Sequence, residues 1–224
     1  MLGHNIRLAN PNEFPSVVTI LRNRNSNIVL NRDVVCGGVL ISKQDVLTSE
    51  HCIINESISG IIITAGSNNI FQASRFYPSW WITYDQWCTQ INKPIKHVWN
   101  DIAIIRLTTK VGNAIPIATI SSVSPDQLIG LQVDAVGWGT MNNGSIALEL
   151  QTASVNVLNR YECSQLLSAL ASETIPIEKR QLCTIADPYV LVHEVLCFVY
   201  KEFKSLSFVN YMSLKLRKDS FCLQ

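Results

Sequence analysis

The tightest constraint on this chain is the stretch over residues 36–53, Cys-Gly-Gly-Val-Leu-Ile-Ser-Lys-Gln-Asp-Val-Leu-Thr-Ser-Glu-His-Cys-Ile. Two apolar runs, Val39-Leu40-Ile41 and Val46-Leu47, flank the polar turn Lys43-Gln44-Asp45. That is the pattern of two paired strands on a tight connection. Cys36 and Cys52 stand at either end, 16 positions apart. A bridge between them would close the hairpin and fix the backbone that carries His51. A loop of that size contributes about 3 kcal/mol by constraining the unfolded chain. Two readings of His51 are open on this stretch alone: a bystander next to a structural staple, or a functional group held by it.

A second feature follows 50 positions later, where Trp99-Asn100-Asp101-Ile102-Ala103-Ile104-Ile105-Arg106-Leu107 places an acid at the mouth of a buried-strand run. The pair of features resembles the chymotrypsin-like (trypsin-family) serine proteases, with their His motif Leu-Thr-Ala-Ala-His-Cys and their Asp motif Asn-Asp-Ile-Ala-Leu. Leu47, Thr48, His51 and Cys52 match the first motif, and residues 100–103 match the second. Ser49 and Glu50 replace two small alanines, and Glu50 stands beside the histidine whose setting it can perturb.

Further landmarks carry the resemblance along the chain. Val136-Gly137-Trp138-Gly139-Thr140 resembles the family's Ser-Gly-Trp-Gly-Thr, and the run from Asn12 to Val18 resembles Glu-Phe-Pro-Tyr-Gln-Val. Met1-Leu2-Gly3-His4 looks like the Ile-Val-Gly-Gly start of a mature protease domain. The resemblance covers residues 3–184. It implies an all-β fold, a trypsin-like double antiparallel β-barrel, with a first barrel over about residues 15–110 and a second from about residue 130. It implies His51 as general base, Asp101 as the residue that fixes its tautomer, and bridges Cys36–Cys52 and Cys163–Cys183.

Composition supports these expectations. A length of 224 residues suits one all-β domain of this size. Hydrophobic residues make up 47% and the net charge is +1, so a core is available and there is no electrostatic case for a nucleic-acid partner. No run approaches the ~18 apolar residues of a membrane helix. Seven cysteines and the sequons Asn55-Glu56-Ser57 and Asn143-Gly144-Ser145 point to an oxidising, extracellular setting, although the first residues show no apolar leader. His4, His51, His97 and His193 are scattered without ligand spacing, so neither a metal nor another cofactor is expected. The family resemblance implies a monomer acting on a protein or peptide substrate.

Local patterns place strands over residues 17–21, 60–65, 101–107, 131–138 and 148–157. Asn159, followed three residues later by Glu162, predicts a helix start, with Cys163, Leu166, Leu167 and Leu170 on one face. Trp80, Trp81, Tyr84 and Trp87 form an aromatic cluster expected to pack over the first barrel.

Acyl transfer needs a hydroxyl beside the base, and here the pattern breaks. The family supplies its nucleophile in Gly-Asp-Ser-Gly-Gly-Pro, shortly after the cysteine that Cys183 matches. In this chain the last glycine is Gly144, and Ser205, Ser207, Ser213 and Ser220 have no glycine beside them. Loss of one oxyanion donor costs about 100- to 1,000-fold in rate, and loss of the nucleophile about a million-fold. Residues 185–224 form a divergent tail, so the second barrel is expected to be imperfect after about Thr184. The sequence therefore supports a serine endopeptidase lineage without its nucleophile loop, a non-catalytic homologue acting as a binding or regulatory module, or an unrelated β protein.

Overall fold

A computed structural model describes residues 1–24, 33–95, 100–177, 181–186, 190–191, 197–200, 205–207 and 210–213, the last four segments by backbone alone. His97, Trp99, His193, Ser220 and Cys222 lie outside the described residues.

The first half contains β1 (Leu2–Gly3), β2 (Arg7–Leu8), β3 (Val17–Arg22), β4 (Val34–Leu40), β5 (Asp45–Thr48), β6 (Ile61–Ala65), β7 (Ser74–Phe76), β8 (Pro78–Thr83), the helix α1 (Tyr84–Gln90) and β9 (Ala103–Leu107). The strands from β3 onward form one seven-stranded sheet in the order β7-β6-β3-β4-β5-β9-β8, antiparallel at every pairing. It curls around a core that includes Val18, Ile20, Leu40, Val46, Ile61, Ile63, Ile105 and Leu107.

Strand β3 explains why the sequence runs apolar there without alternating. Its even residues, Val18 and Ile20, enter this core. Its odd residues, Val17 and Leu21, enter a second cluster with Phe14, Val34, Ile62, Val136, Trp138, Ile146 and Leu150. Because neighbouring side chains on a strand point to opposite faces, both faces of β3 are dry. Trp138 is only 4% exposed, and its indole N–H donates to the Asn68 carbonyl at 2.7 Å. It joins the two halves of the chain.

The second half continues with β10 (Thr119–Ile120), α2 (Pro125–Leu128), β11 (Gln132–Gly137), β12 (Gln151–Leu158), α3 (Arg160–Ala171), β13 (Gln181–Ile185), β14 (Val190–Leu191), β15 (Cys197–Tyr200), β16 (Ser205–Ser207) and β17 (Asn210–Ser213). Its sheet runs β10-β16-β15-β11-β12-β13-β17, with β2 added on β12. Its core holds Leu128, Val133, Ala135, Ala153, Val155, Val157 and Leu182. The tail therefore contributes strands. β15 pairs antiparallel with β11, while β16 on β10 and β17 on β13 run parallel. The departures from an antiparallel barrel thus both involve tail strands, which is where the sequence leaves the expected pattern.

The helix expected after Asn159 is α3, and the Asn159 side chain accepts from the Glu162 N–H at 2.9 Å. The aromatic cluster is split. Trp81 packs against the first core, whereas Trp80 and Trp87 stay substantially exposed beside Arg106 and Lys93, each 5.5 Å from its ring.

Gly38 is a position where a side chain is excluded. A Cβ there would meet Val46 Cγ1 at 2.8 Å and the Leu47 carbonyl at 3.1 Å, because β4 and β5 approach closely. Gly38→Ala should cost about 1–3 kcal/mol by overpacking, and Ile105→Ala, which empties a fully buried position, about 2–5 kcal/mol. Chemical denaturation of each variant measures both losses.

Candidate functional site

The site is built from the end of β5. Thr48 is completely buried, and its hydroxyl donates to the Gly37 carbonyl at 3.0 Å, tying the end of this strand back to β4. The chain then makes a turn in which the Glu50 carbonyl accepts from the N–H groups of Ile53 and Ile54, each at 3.0 Å. Cys36 and Cys52 form a disulfide with their Cα atoms 5.9 Å apart, within the range an unforced bridge needs. His51 projects from this stapled turn with a largely exposed ring. The second expected bridge, Cys163–Cys183, also forms and ties α3 to β13.

Asp101 arrives from the other side. Antiparallel pairing of β5 with β9 sets Thr48 opposite Ala103, so the residues just beyond Thr48 and just before Ala103 leave the sheet at the same end. Asp101 Oδ2 lies 2.5 Å from His51 Nδ1, and Asp101 Oδ1 accepts from the His51 backbone N–H at 2.8 Å. An ionised carboxylate can only accept, so Nδ1 carries the proton and Nε2 is the basic nitrogen of the neutral ring. Burial opposes ionisation of Asp101. Hydrogen bonds from the His51 ring and backbone, the charge of the imidazole and a bond from the Glu50 backbone N–H outweigh it, holding its pKa below the ordinary value. The arrangement fixes one tautomer and stabilises a protonated ring, which is what a general base needs.

Nε2 sits 3.5 Å from Cys52 Sγ and 4.0 Å from Cys36 Sγ. Cys36, His51 and Cys52 form a group with metal-like spacing among the described residues. Both sulfurs are spent in the disulfide, so neither is a thiolate ligand, and the contacts with the ring are packing.

The structure thus brings His51 and Asp101 together as expected from their motifs. Ser205 and Ser207 fall on β16 and Ser213 on β17. A residue that the sequence reading passed over is Thr83, whose side chain accepts from the Gln86 N–H while Gln86 caps the Thr83 N–H in return. The signal was present as Thr83-x-x-Gln86, a capping box at the start of α1.

Because the Asp101 pKa is depressed in the folded state, its contribution to stability is present above the unfolded value of about 4 and is lost as pH falls through the folded value. Asp101→Asn should therefore melt below the native protein at pH 7. The two melting temperatures should converge as pH falls below about 4, and thermal melts across that range measure it.

A family model for trypsin matches residues 5–189. Curated relatives include trypsin iota of Drosophila melanogaster, 28% identical over 129 residues, covering 58% of this chain and 49% of the relative. Venom serine protease 34 of Apis mellifera is 30% identical over 167 residues, covering 68% of this chain and 38% of the relative. The chain spans about half the length of the first curated relatives it matches. Among solved structures, neuropsin, a serine protease expressed in the limbic system of mouse brain, shares the fold with a TM-score of 0.61 at 19% identity, over 82% of this chain and 74% of that one. Motif, barrel topology, bridges and family model coincide, and the chain belongs to the trypsin family of chymotrypsin-like serine proteases.

Proposed function

We propose that this polypeptide is a serine-endopeptidase family member that retains the base and its orienting acid but does not hydrolyse peptide bonds as sequenced. The observation that carries this reading is the combination of a set His51–Asp101 pair with a chain that has no glycine after Gly144. The nucleophile in this chemistry needs glycine-permitted backbone turns whose N–H groups converge on the oxyanion. On this reading the chain lacks the loop that would position a hydroxyl for His51, and the expected loss is on the order of a million-fold. On this reading the protein binds a protein or peptide partner as a monomer, in an oxidising extracellular compartment that preserves the two bridges. Among the described residues no helix is long and apolar enough to cross a membrane. Nucleic acid, metals and other cofactors have no part in the proposal.

The intact hydrogen bonds of the pair favour a second reading, an active endopeptidase lineage whose transcripts carry a Gly-Asp-Ser-Gly-Gly segment after the Thr184 codon. Transcript sequencing through that junction distinguishes the two.

The full chain treated with a serine-directed fluorophosphonate should remain unlabelled and should cleave a general peptide substrate no faster than buffer. Stoichiometric labelling that disappears in His51→Ala would overturn the proposal.

A further inference from the structure

Two Asn-x-Ser triplets stand outside the chemistry of the His51 site, and the fold treats them differently. Asn143 lies at the tip of a tight hairpin whose base is the antiparallel bridge between Thr140 and Ile146. Above that bridge the Met141 N–H donates to the Ser145 carbonyl at 2.7 Å. The Gly144 N–H donates to the Met141 carbonyl at 2.9 Å. Gly144 closes the turn at φ +80°, a left-handed conformation that side chains disfavour. A Cβ built on Gly144 would meet nothing within 4 Å beyond its chain neighbours, so the tip stands clear.

The two asparagines at this tip have opposite tasks. Asn142 is tied to β1: its Oδ1 accepts from the Gly3 N–H at 2.9 Å, and its Nδ2 donates to the Gly3 carbonyl at 3.1 Å. Asn143 is exposed, and its Oδ1 accepts from its own triplet, from the Ser145 N–H at 3.0 Å and the Ser145 hydroxyl at 2.6 Å. A backbone N–H can only donate, so the engaged atom is the amide oxygen and the amide nitrogen is left for another partner. The amide is planar, so Nδ2 diverges from Oδ1.

Asn55-Glu56-Ser57 is also at the surface, but its other members are engaged. The Glu56 carboxylate is held by Arg22 of β3 at 2.8 Å. The Ser57 carbonyl accepts from the Gly60 N–H at 2.9 Å, and Ser57 Oγ lies 2.6 Å from where a Cβ on Gly60 would stand. Drawing this triplet into an enzyme's cleft would disturb the ion pair and the turn. Asn143 can be reached with every contact of its hairpin base in place.

We propose that Asn143 is an acceptor for an N-linked oligosaccharide and is preferred over Asn55. In the transfer, Asn143 Nδ2 forms a bond to the anomeric carbon of a lipid-pyrophosphate oligosaccharide. The carbon–oxygen bond to pyrophosphate breaks, the lipid pyrophosphate leaves with the electron pair, and a base of the transferase takes the amide proton. The sugar then stands in water at the tip of the hairpin, where its bulk displaces no packed side chain. The proposal rests on the extracellular reading above, because donor and transferase belong to the secretory lumen.

The test expresses the full chain behind a cleavable secretory leader in mammalian cells that make only high-mannose glycans. The leader enforces entry into the lumen, so failure here counts against the site and not against the compartment. Protein from cells and medium is treated with endoglycosidase H, which leaves one N-acetylglucosamine on each modified asparagine, and its peptides are weighed by mass spectrometry. Most chains should carry the sugar at Asn143, and fewer at Asn55. Ser145→Ala and Asn143→Gln should each abolish the sugar in this hairpin, whereas Ser145→Thr and Asn142→Gln should retain it. No sugar at Asn143, or occupancy at Asn55 equal to or above that at Asn143, overturns the proposal. So does a hairpin sugar that survives Ser145→Ala.

Discussion

The pairing of β5 with β9 is the constraint on which everything functional depends. Thr48 and Ala103 face each other across one rung, and that single registration places His51 next to an acid 50 residues away. A slip of one residue would turn every side chain of β9 to the other face, taking Ile105 and Leu107 out of the core. The geometry of the pair is thus protected by the burial of apolar residues that never touch it.

The same economy appears at β3 and Trp138. Ile20 fills the first core while Leu21 fills the cluster between the halves, so one strand serves two layers. Trp138 closes that second layer, and its N–H is satisfied by the Asn68 carbonyl. The ring can be buried there without stranding a donor. In the second sheet the altered pairings lie at the two edges. Its central strands β11, β12 and β13 pair antiparallel, and the unusual parallel contacts are confined to the tail strands β16 and β17.

Much of this was legible in the residues. The Cys36–Cys52 hairpin, the Asp101 motif and the Asn159 helix start are local patterns with a direct physical meaning, and each appears where it was expected. Strand β9 begins at Ala103 rather than Asp101, because the backbone just before it makes a local turn in which the Ile102 N–H donates to the Asn100 carbonyl at 2.8 Å. Helix α1 was hidden beneath aromatic residues that suggested packing, although Thr83 and Gln86 encode its cap. The gathering of Glu50, Asp85 and Asp101 at one end of the sheet was not legible, since it depends on two strand registers at once. Motif comparison shows only that an alanine has become a glutamate. Which residues lie near the glutamate is decided by tertiary pairing.

A crystal structure of the full-length protein tests the central claim most directly. The account predicts the Asp101 carboxylate on His51 Nδ1 and no serine hydroxyl of residues 185–224 within hydrogen-bond reach of Nε2. A tail serine seated against Nε2, beside converging backbone N–H groups, would contradict it.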